Sequence, residues 1–406
     1  MPARTRQPNV QHGTIDVTID RIVGDGKGIG FADGKTVFVS RTAPGDVVRA
    51  RILRQQRTTI HAVPEEIIEP SPMRIEADHP HAHNGVGCDL MHISYEDQLK
   101  TKAAIIQDSL RRIAKLDPVP DVRVHASPNQ WNYRSRAEYQ VNVPGKLVGY
   151  FAENSRRIVN IDVDPVATDG VNALLTTLRD DVDAGLVPET AREYRAVATD
   201  TGNALEQTST QRSAVLFQTV GDENYQFSAE CFFQANIPVA KDLTDGVKRI
   251  ANIARAEQGI AIDLYCGVGL FTLPLSRIFR RVIGVESFKP AVKFALDNLK
   301  SAGLDRTKVI GTPVEQWVTQ DNSRYGKVAL MVFDPPRTGA GQKAVEGMLR
   351  MNPAHIAAVS CDPATFARDL HGLLEGGYEL VSIEAYDMFP QTHHVEILAH
   401  LRRTEG

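Results

Sequence analysis

The sequence predicts an α/β protein. A Rossmann-like, doubly wound sheet of seven strands fills its C-terminal part, an OB-type β-barrel opens it, and an α+β region lies between them. Three observations carry this. From about residue 237, short apolar strands alternate with helical segments of roughly ten to fifteen residues, the pattern of a parallel sheet wrapped by helices. Residues 13–68 instead hold short stretches of period-two alternation, such as Val37-Phe38-Val39, broken by turns such as Pro44-Gly45. The region between the two mixes both patterns without regular order.

Taken in order, the barrel strands are expected at 14–22, around the glycine-rich run 24–30, and at 36–40, 46–53 and 58–68. Small barrels of this kind are often used on nucleic acid. Residues 69–92 are rich in Pro, His and Gly and read as irregular. A helix follows, capped by Ser94 with Asp97 three residues on, and Leu99, Ala103, Ile106, Leu110 and Ile113 form its apolar stripe. Asp117-Pro118-Val119-Pro120 ends it. In the middle region, strands are expected at 136–143 and 146–153 and a helix near 171–184. The C-terminal strands are expected at 259–264, 281–286, 308–311, 328–334 and 356–361. Strands at 379–386 and 395–401, with no helix between them, add an edge hairpin that has one antiparallel member.

Composition narrows the function classes. The chain has 406 residues, of which 42% are hydrophobic and 24% charged, as in ordinary globular proteins. No apolar run is long enough to span a bilayer, and the basic N-terminus has no apolar stretch behind it, so no membrane association and a cytoplasmic location are expected. Four cysteines without paired spacing fit a reducing compartment. Residues 1–60 carry ten Lys/Arg against five Asp, a local +5 in a chain of net charge −4. That asymmetry suits a basic module that meets a polyanion.

Four motifs fall at the carboxyl ends of predicted strands, where open α/β sheets bind ligands. In Asp263-Leu264-Tyr265-Cys266-Gly267-Val268-Gly269, two glycines permit a tight turn into a helix. A dinucleotide loop would place a third glycine at 272, where this chain has Thr272, and the acid inside the strand end favours S-adenosylmethionine over NAD. Glu286 ends the next strand, where an acid can take both ribose hydroxyls. Asp334-Pro335-Pro336-Arg337 holds an aspartate in the crevice. It resembles the Asp-Pro-Pro-aromatic loop of amino-group methyltransferases, with Arg337 in the aromatic position. In Ser360-Cys361-Asp362-Pro363-Ala364-Thr365, a cysteine ends a strand just before a helix, a placement that lowers a thiol pKa. His393, His394 and Glu396 lie near the chain's end, too contiguous to share a metal geometry.

Together these motifs resemble the RNA uracil-5-methyltransferase family over nearly the whole chain. The resemblance implies a TRAM barrel at 1–69 and a central domain at 70–94 and 121–236. It implies a class I S-adenosylmethionine-dependent catalytic domain at 95–120 and 237–406. It also implies roles: Gln234, in Phe232-Phe233-Gln234-Ala235-Asn236, and Tyr265, Glu286 and Asp334 line the cofactor and substrate pocket; Cys361 is the nucleophile; Glu396 is the base. The chemistry needs these types. Carbon 5 of uracil is a weak nucleophile until a thiolate adds to carbon 6, and a base must later remove the carbon 5 proton. The expected partner is ribosomal or transfer RNA, acted on by a monomer.

Two departures qualify the match. Many family members hold an iron–sulfur cluster on a Cys-x5-Cys-x2-Cys run, where this chain has His79, Gly85 and Cys88, so no cluster is expected. His79, His81 and His83 with Cys88 are zinc-type donors, but a polar loop is the expected reading, with no resident metal. Leu270 replaces an asparagine that contacts the cofactor in some relatives. An amino-group methyltransferase, based on Asp334-Pro335-Pro336, is the alternative.

Overall fold

A computed structural model describes residues 13–76, 87–152, 155–208 and 213–404. The chain forms two compact units, Met1–Ile105 with Gln391–His393, and Ile106–Pro390 with His394–Gly406.

The first unit holds a closed barrel of β1 (Thr14–Ile22), β2 (Gly28–Ala32), β3 (Lys35–Val39), β4 (Val47–Gln55) and β5 (Thr59–Glu69), in the order β1-β2-β3-β5-β4. The alternation seen in the sequence is its cause: Val17, Ile19, Val37, Val39, Val48, Ala50, Ile60 and Ala62 point inward and are buried. Most outward residues are polar, with Phe31, Leu53 and Ile68 as exposed apolar exceptions, and Arg49 pairs with Asp16 and Glu66 across three strands. Helix α1 (Tyr95–Arg112) starts where expected, with the Ser94 hydroxyl accepting the Asp97 amide at 3.3 Å. Ile113, expected on its apolar stripe, is exposed, whereas Ile106 and Leu110 are buried.

The second unit begins its sheets with the short strand β6 (Arg123–His125). Next come β7 (Arg136–Asn142), β8 (Leu147–Phe151), β9 (Ile158–Asn160), α2 (Asp169–Asp183), β10 (Glu193–Thr199) and β11 (Gly202–Gln207). These strands form an antiparallel sheet in the order β11-β10-β7-β8-β9. Helix α2 buries Val171, Leu175, Leu178 and Val182. A hairpin, β12 (Val215–Val220) and β13 (Glu223–Ser228), leads into α3 (Ile237–Ala254).

The α/β alternation then unfolds as β14 (Ile260–Leu264), α4 (Thr272–Ile278), β15 (Val282–Glu286), α5 (Lys289–Ser301), β16 (Lys308–Gly311), α6 (Val314–Trp317) and β17 (Val328–Phe333). It continues with α7 (Gln342–Met351), β18 (His355–Ser360), α8 (Pro363–Glu375), β19 (Tyr378–Tyr386) and β20 (Glu396–Arg403). The sheet order is β16-β15-β14-β17-β18-β20-β19-β6, with only β20 antiparallel to its neighbours. Every residue of β14, β17 and β18 is buried, because helices cover both faces.

The sheet therefore has eight strands, not the seven expected. The eighth is β6, which pairs in parallel with β19 through Glu384↔Arg123, Ala385↔Val124 and Tyr386↔His125. Three residues are too few to display a period; the open edge of β19 recruits them by backbone pairing, with His125 also bonded to Glu384 at 2.8 Å and stacked on Tyr386. No helix among the described residues is long and apolar enough to cross a membrane.

Candidate active site

The chain turns from one side of the sheet to the other between β14 and β17, and the crevice beyond their carboxyl ends is where such a sheet can take a ligand. The loop after β14 crosses it. Tyr265 sits there in the left-handed region at φ 60, a strained conformation for a residue with a side chain, and its hydroxyl donates to Glu315 at 3.2 Å. Gly267 also has positive φ, and a Cβ there would meet only open space, which leaves the backbone of this turn accessible to a ligand.

Asp263 explains why residue 272 is not glycine. Its carboxyl is completely buried and accepts the Thr272 hydroxyl at 2.5 Å. Burial, partly offset by that bond, pushes the acid up to about 7. Glu286 is tied into the same turn: Oε2 accepts the Gly267 amide at 3.1 Å, and Oε1 accepts the Ser287 and Phe288 amides at 2.7 Å each. The Ser287 hydroxyl also donates to Oε1, at 3.4 Å, whereas Oε2 has the Gly267 amide alone and keeps a lone pair for a hydroxyl.

The reactive end lies one strand further on. Antiparallel pairing of β18 with β20 sets Ser360 against Ile397, so the next residues along, Cys361 and Glu396, face one another across the ladder. Parallel pairing of β17 with β18 brings Asp334 to the same end, where its amide reaches the Leu264 carbonyl at 3.4 Å. Glu396 is buried and its Oε2 has no hydrogen-bond partner among the described residues; Gln234, also buried, has the same deficit at Oε1. Buried acceptors without partners are costly and mark places where a ligand supplies the missing donor.

Electrostatics in this cluster run against one expectation. The start of α8, capped by the Asp362 side chain on the Thr365 amide at 2.8 Å, was expected to lower the Cys361 pKa. Instead burial, with Glu396 and Asp334 adding to it, pushes the thiol up to about 12. Two nearby carboxyls in a dry crevice outweigh a helix terminus, whose field acts only at short range. Asp334 keeps part of its surface exposed, yet burial pushes its carboxyl up to about 7. Glu396 stands well above the usual carboxylate range, through burial and then Asp334. Arg337 opposes the shifts of both Cys361 and Glu396.

These values carry a prediction. Cys361 is half-buried while Cys88, Cys231 and Cys266 are buried, so a small alkylating reagent should report on Cys361 first. In the free protein its alkylation rate should climb about tenfold per pH unit through pH 8–10 without a plateau. Glu396→Gln removes a carboxyl whose ionised form opposes the thiolate and should speed alkylation at alkaline pH, where Glu396 is charged; a plateau near pH 8 in the native protein would contradict the geometry.

Several site-shaping residues gave no local signal. Arg136 donates to the Cys231 and Phe233 carbonyls at 2.8 and 3.4 Å, fixing the segment that carries Gln234, and burial holds its guanidinium down to about 10. Asn298 ties the glycine loop to β13 through the Val268 carbonyl and the Gln226 amide and carbonyl. The Tyr225 hydroxyl donates to the carbonyl of Leu270 at 2.9 Å. The terminal histidines have separate partners: His393 bonds Asp89, and His394 faces Arg337 at 3.4 Å. His79, His81 and His83 lie outside the described residues. Among the described residues, no three His, Cys, Asp or Glu side chains gather as metal ligands.

A Rossmann-type sheet with an acid-anchored glycine turn at its switch point, and a thiol and two carboxyls beside it, defines a class I methyltransferase. The family model for tRNA (uracil-5-)-methyltransferase matches residues 216–404. A protein named as an uncharacterized RNA methyltransferase of Thermosynechococcus vestitus is 30% identical, with 96% of this chain and 98% of that protein covered. One of the same description from Aquifex aeolicus is 28% identical, with 95% and 98% covered. Among solved structures, the Pyrococcus abyssi tRNA (uracil-54, C5)-methyltransferase in complex with S-adenosyl-L-homocysteine superposes with TM-score 0.73 at 23% identity, over 95% of this chain and 100% of that one. The chain belongs to the RNA uracil-5-methyltransferase family.

Proposed function

We propose that this enzyme converts a uridine of ribosomal or transfer RNA to 5-methyluridine through a covalent bond between Cys361 and carbon 6. The observation that carries the reading is the β18–β20 register, which sets Cys361 opposite Glu396 at the strand ends beside Asp334.

The donor site fits the residues present. Tyr265, Gly267 and Glu286 form a turn with open backbone and a carboxylate able to accept a further hydroxyl, and the Asp334 amide is bonded to Leu264 just before it. S-adenosylmethionine, when bound, supplies an electrophilic methyl group. The remaining tasks belong to the chain. Gln234, with a free buried oxygen, binds and orients the uracil edge. Cys361 loses its proton and adds to carbon 6, and the ring becomes an enolate nucleophilic at carbon 5. With a thiol pushed up to about 12, few molecules hold a thiolate at rest. Attack therefore requires the proton to pass from the half-exposed thiol to solvent water as the carbon–sulfur bond forms, and Arg337 is the cation placed to favour the anion. After methylation Glu396 takes the carbon 5 proton, and elimination returns Cys361. The upward shift of Glu396 makes its ionised form a stronger base than an ordinary carboxylate.

The uridine must leave its stack to reach a crevice this deep. The N-terminal barrel, in a segment of local charge +5, serves as the TRAM module that holds the surrounding RNA. Mass-spectrometric mapping of 5-methyluridine in ribosomal and transfer RNA, from cells with and without the gene, tests the reading. One uridine should lose its methyl group when the gene is absent, and the pool in which it lies names the substrate. No change in either pool would overturn the proposal.

A further inference from the structure

We propose that Thr365 and Asp369 are positioning residues: from α8 they grip the backbone of residues 337–341 and so set where Arg337 stands relative to Cys361. The proposal rests on the covalent reading of Cys361, and it adds to that reading how the nucleophile and its cation are kept in register.

The loop after β17 carries Asp334 and Arg337, and α8 begins two residues after Cys361. Four backbone groups of that loop are held by three side chains of α8. The Thr365 hydroxyl donates to the Arg337 carbonyl at 3.2 Å, an interaction it shares with the Asp362 carbonyl at 3.3 Å. The Arg368 guanidinium donates to the Thr338 carbonyl at 2.9 Å. Asp369 accepts the Ala340 amide at 2.6 Å and the Gly341 amide at 3.2 Å. The Gly339 amide closes the turn on the Pro336 carbonyl at 2.8 Å.

The fit leaves no slack. Gly339 has φ +76, and a Cβ there would lie 2.4 Å from the Arg368 Nη2, 2.6 Å from an Asp369 oxygen and 3.0 Å from the Thr365 Cβ. Asp369 is 4% exposed, and a carboxylate is buried at high cost unless its oxygens are well bonded. Here its oxygens take two loop amides and the neighbouring Arg368, bonds of the strong charge-assisted kind. A buried acid whose bonds run to another loop is a clamp on that loop. What it clamps has a direct electrical consequence, because Arg337 stabilises the Cys361 anion and the Coulomb effect falls with distance.

The test uses the full chain and reads the pH profile of Cys361 alkylation, with kcat, KM for RNA and the thermal midpoint alongside. Thr365→Val and Asp369→Asn should move the alkylation profile up by about half a pH unit, which is about threefold slower labelling at fixed pH. They should lower kcat while leaving KM for RNA within about twofold, since the clamp acts on the nucleophile and not on RNA binding. Thr365→Ser, which keeps the hydroxyl, should restore both. In an Arg337→Ala background the Asp369→Asn shift should vanish, as a double-mutant cycle requires of residues that act through one another. A fall in thermal midpoint with an unmoved alkylation profile would show a merely structural clamp and overturn the proposal. So would a shift that persists without Arg337. The alkylation arm needs no RNA, so a native protein that failed to methylate uridine would sink the proposed function and still leave the clamp readable.

Discussion

Cys361→Ala should abolish uridine methylation, by about ten-thousandfold or more, while S-adenosylmethionine still binds with near-native affinity by calorimetry. The size follows from the chemistry. Without the bond to carbon 6, carbon 5 never becomes nucleophilic, and no neighbouring group substitutes: the nearby acids Asp334 and Glu396 are held toward their neutral forms by burial. Donor binding should survive because Tyr265, Gly267 and Glu286 make their bonds within the loops after β14 and β15 and with Glu315 of α6, none of which involves Cys361. Retained methyl transfer in Cys361→Ala would instead favour an amino-group reaction at Asp334-Pro335-Pro336, in which no thiol takes part.

The second large effect separates the two halves of the reaction. Glu396→Gln should leave methyl transfer in a single turnover within about tenfold of native and block the step after it, so that a covalent protein–RNA species accumulates on a denaturing gel. The amide has the size of the carboxyl, and the lone Oε2 of Glu396 has no partner to lose. The substitution therefore removes a base with little disturbance of the fold. Methyl transfer without any adduct, in a variant that keeps Cys361, would remove Glu396 from the role of base. The same variant should alkylate faster at Cys361 at alkaline pH in the absence of RNA, so loss of turnover and gain of thiol reactivity should appear in one protein.

Much of this was legible in the chain. The strand–helix alternation after residue 237 and the period-two stretches before residue 69 report burial directly, because each pattern is the footprint of a face turned to a core. Asp263, Glu286, Asp334 and Cys361 stood out because each falls at the end of an apolar strand, beside a glycine, a proline pair or a cap, whereas Gln234 and Glu396 were given roles only through the family resemblance. The middle region was not legible to the same degree. Strands β9 to β13 are mostly three to seven residues long and are joined by polar turns, so their pairing is settled by neighbours distant in sequence. The same is true of β6, whose three residues become a strand only because β19 presents an open edge.

By itself, then, the sequence determined which elements form and which side chains are chemically equipped. Local pattern suffices there: a thiol before a helix cap, an acid at a strand end and two glycines in a turn can be read within a dozen residues. The tertiary structure alone decided how those side chains behave. Burial first, and then the carboxyl that the 360↔397 register brings to the same strand ends, turn a thiol expected to be acidic into one held at about 12. A pKa depends on burial and on charges brought close by folding, and neither quantity is a property of a motif. The same holds for Arg136, Asn298 and Asp369, ordinary polar residues in the sequence, whose work is to hold the loops in which the chemistry sits.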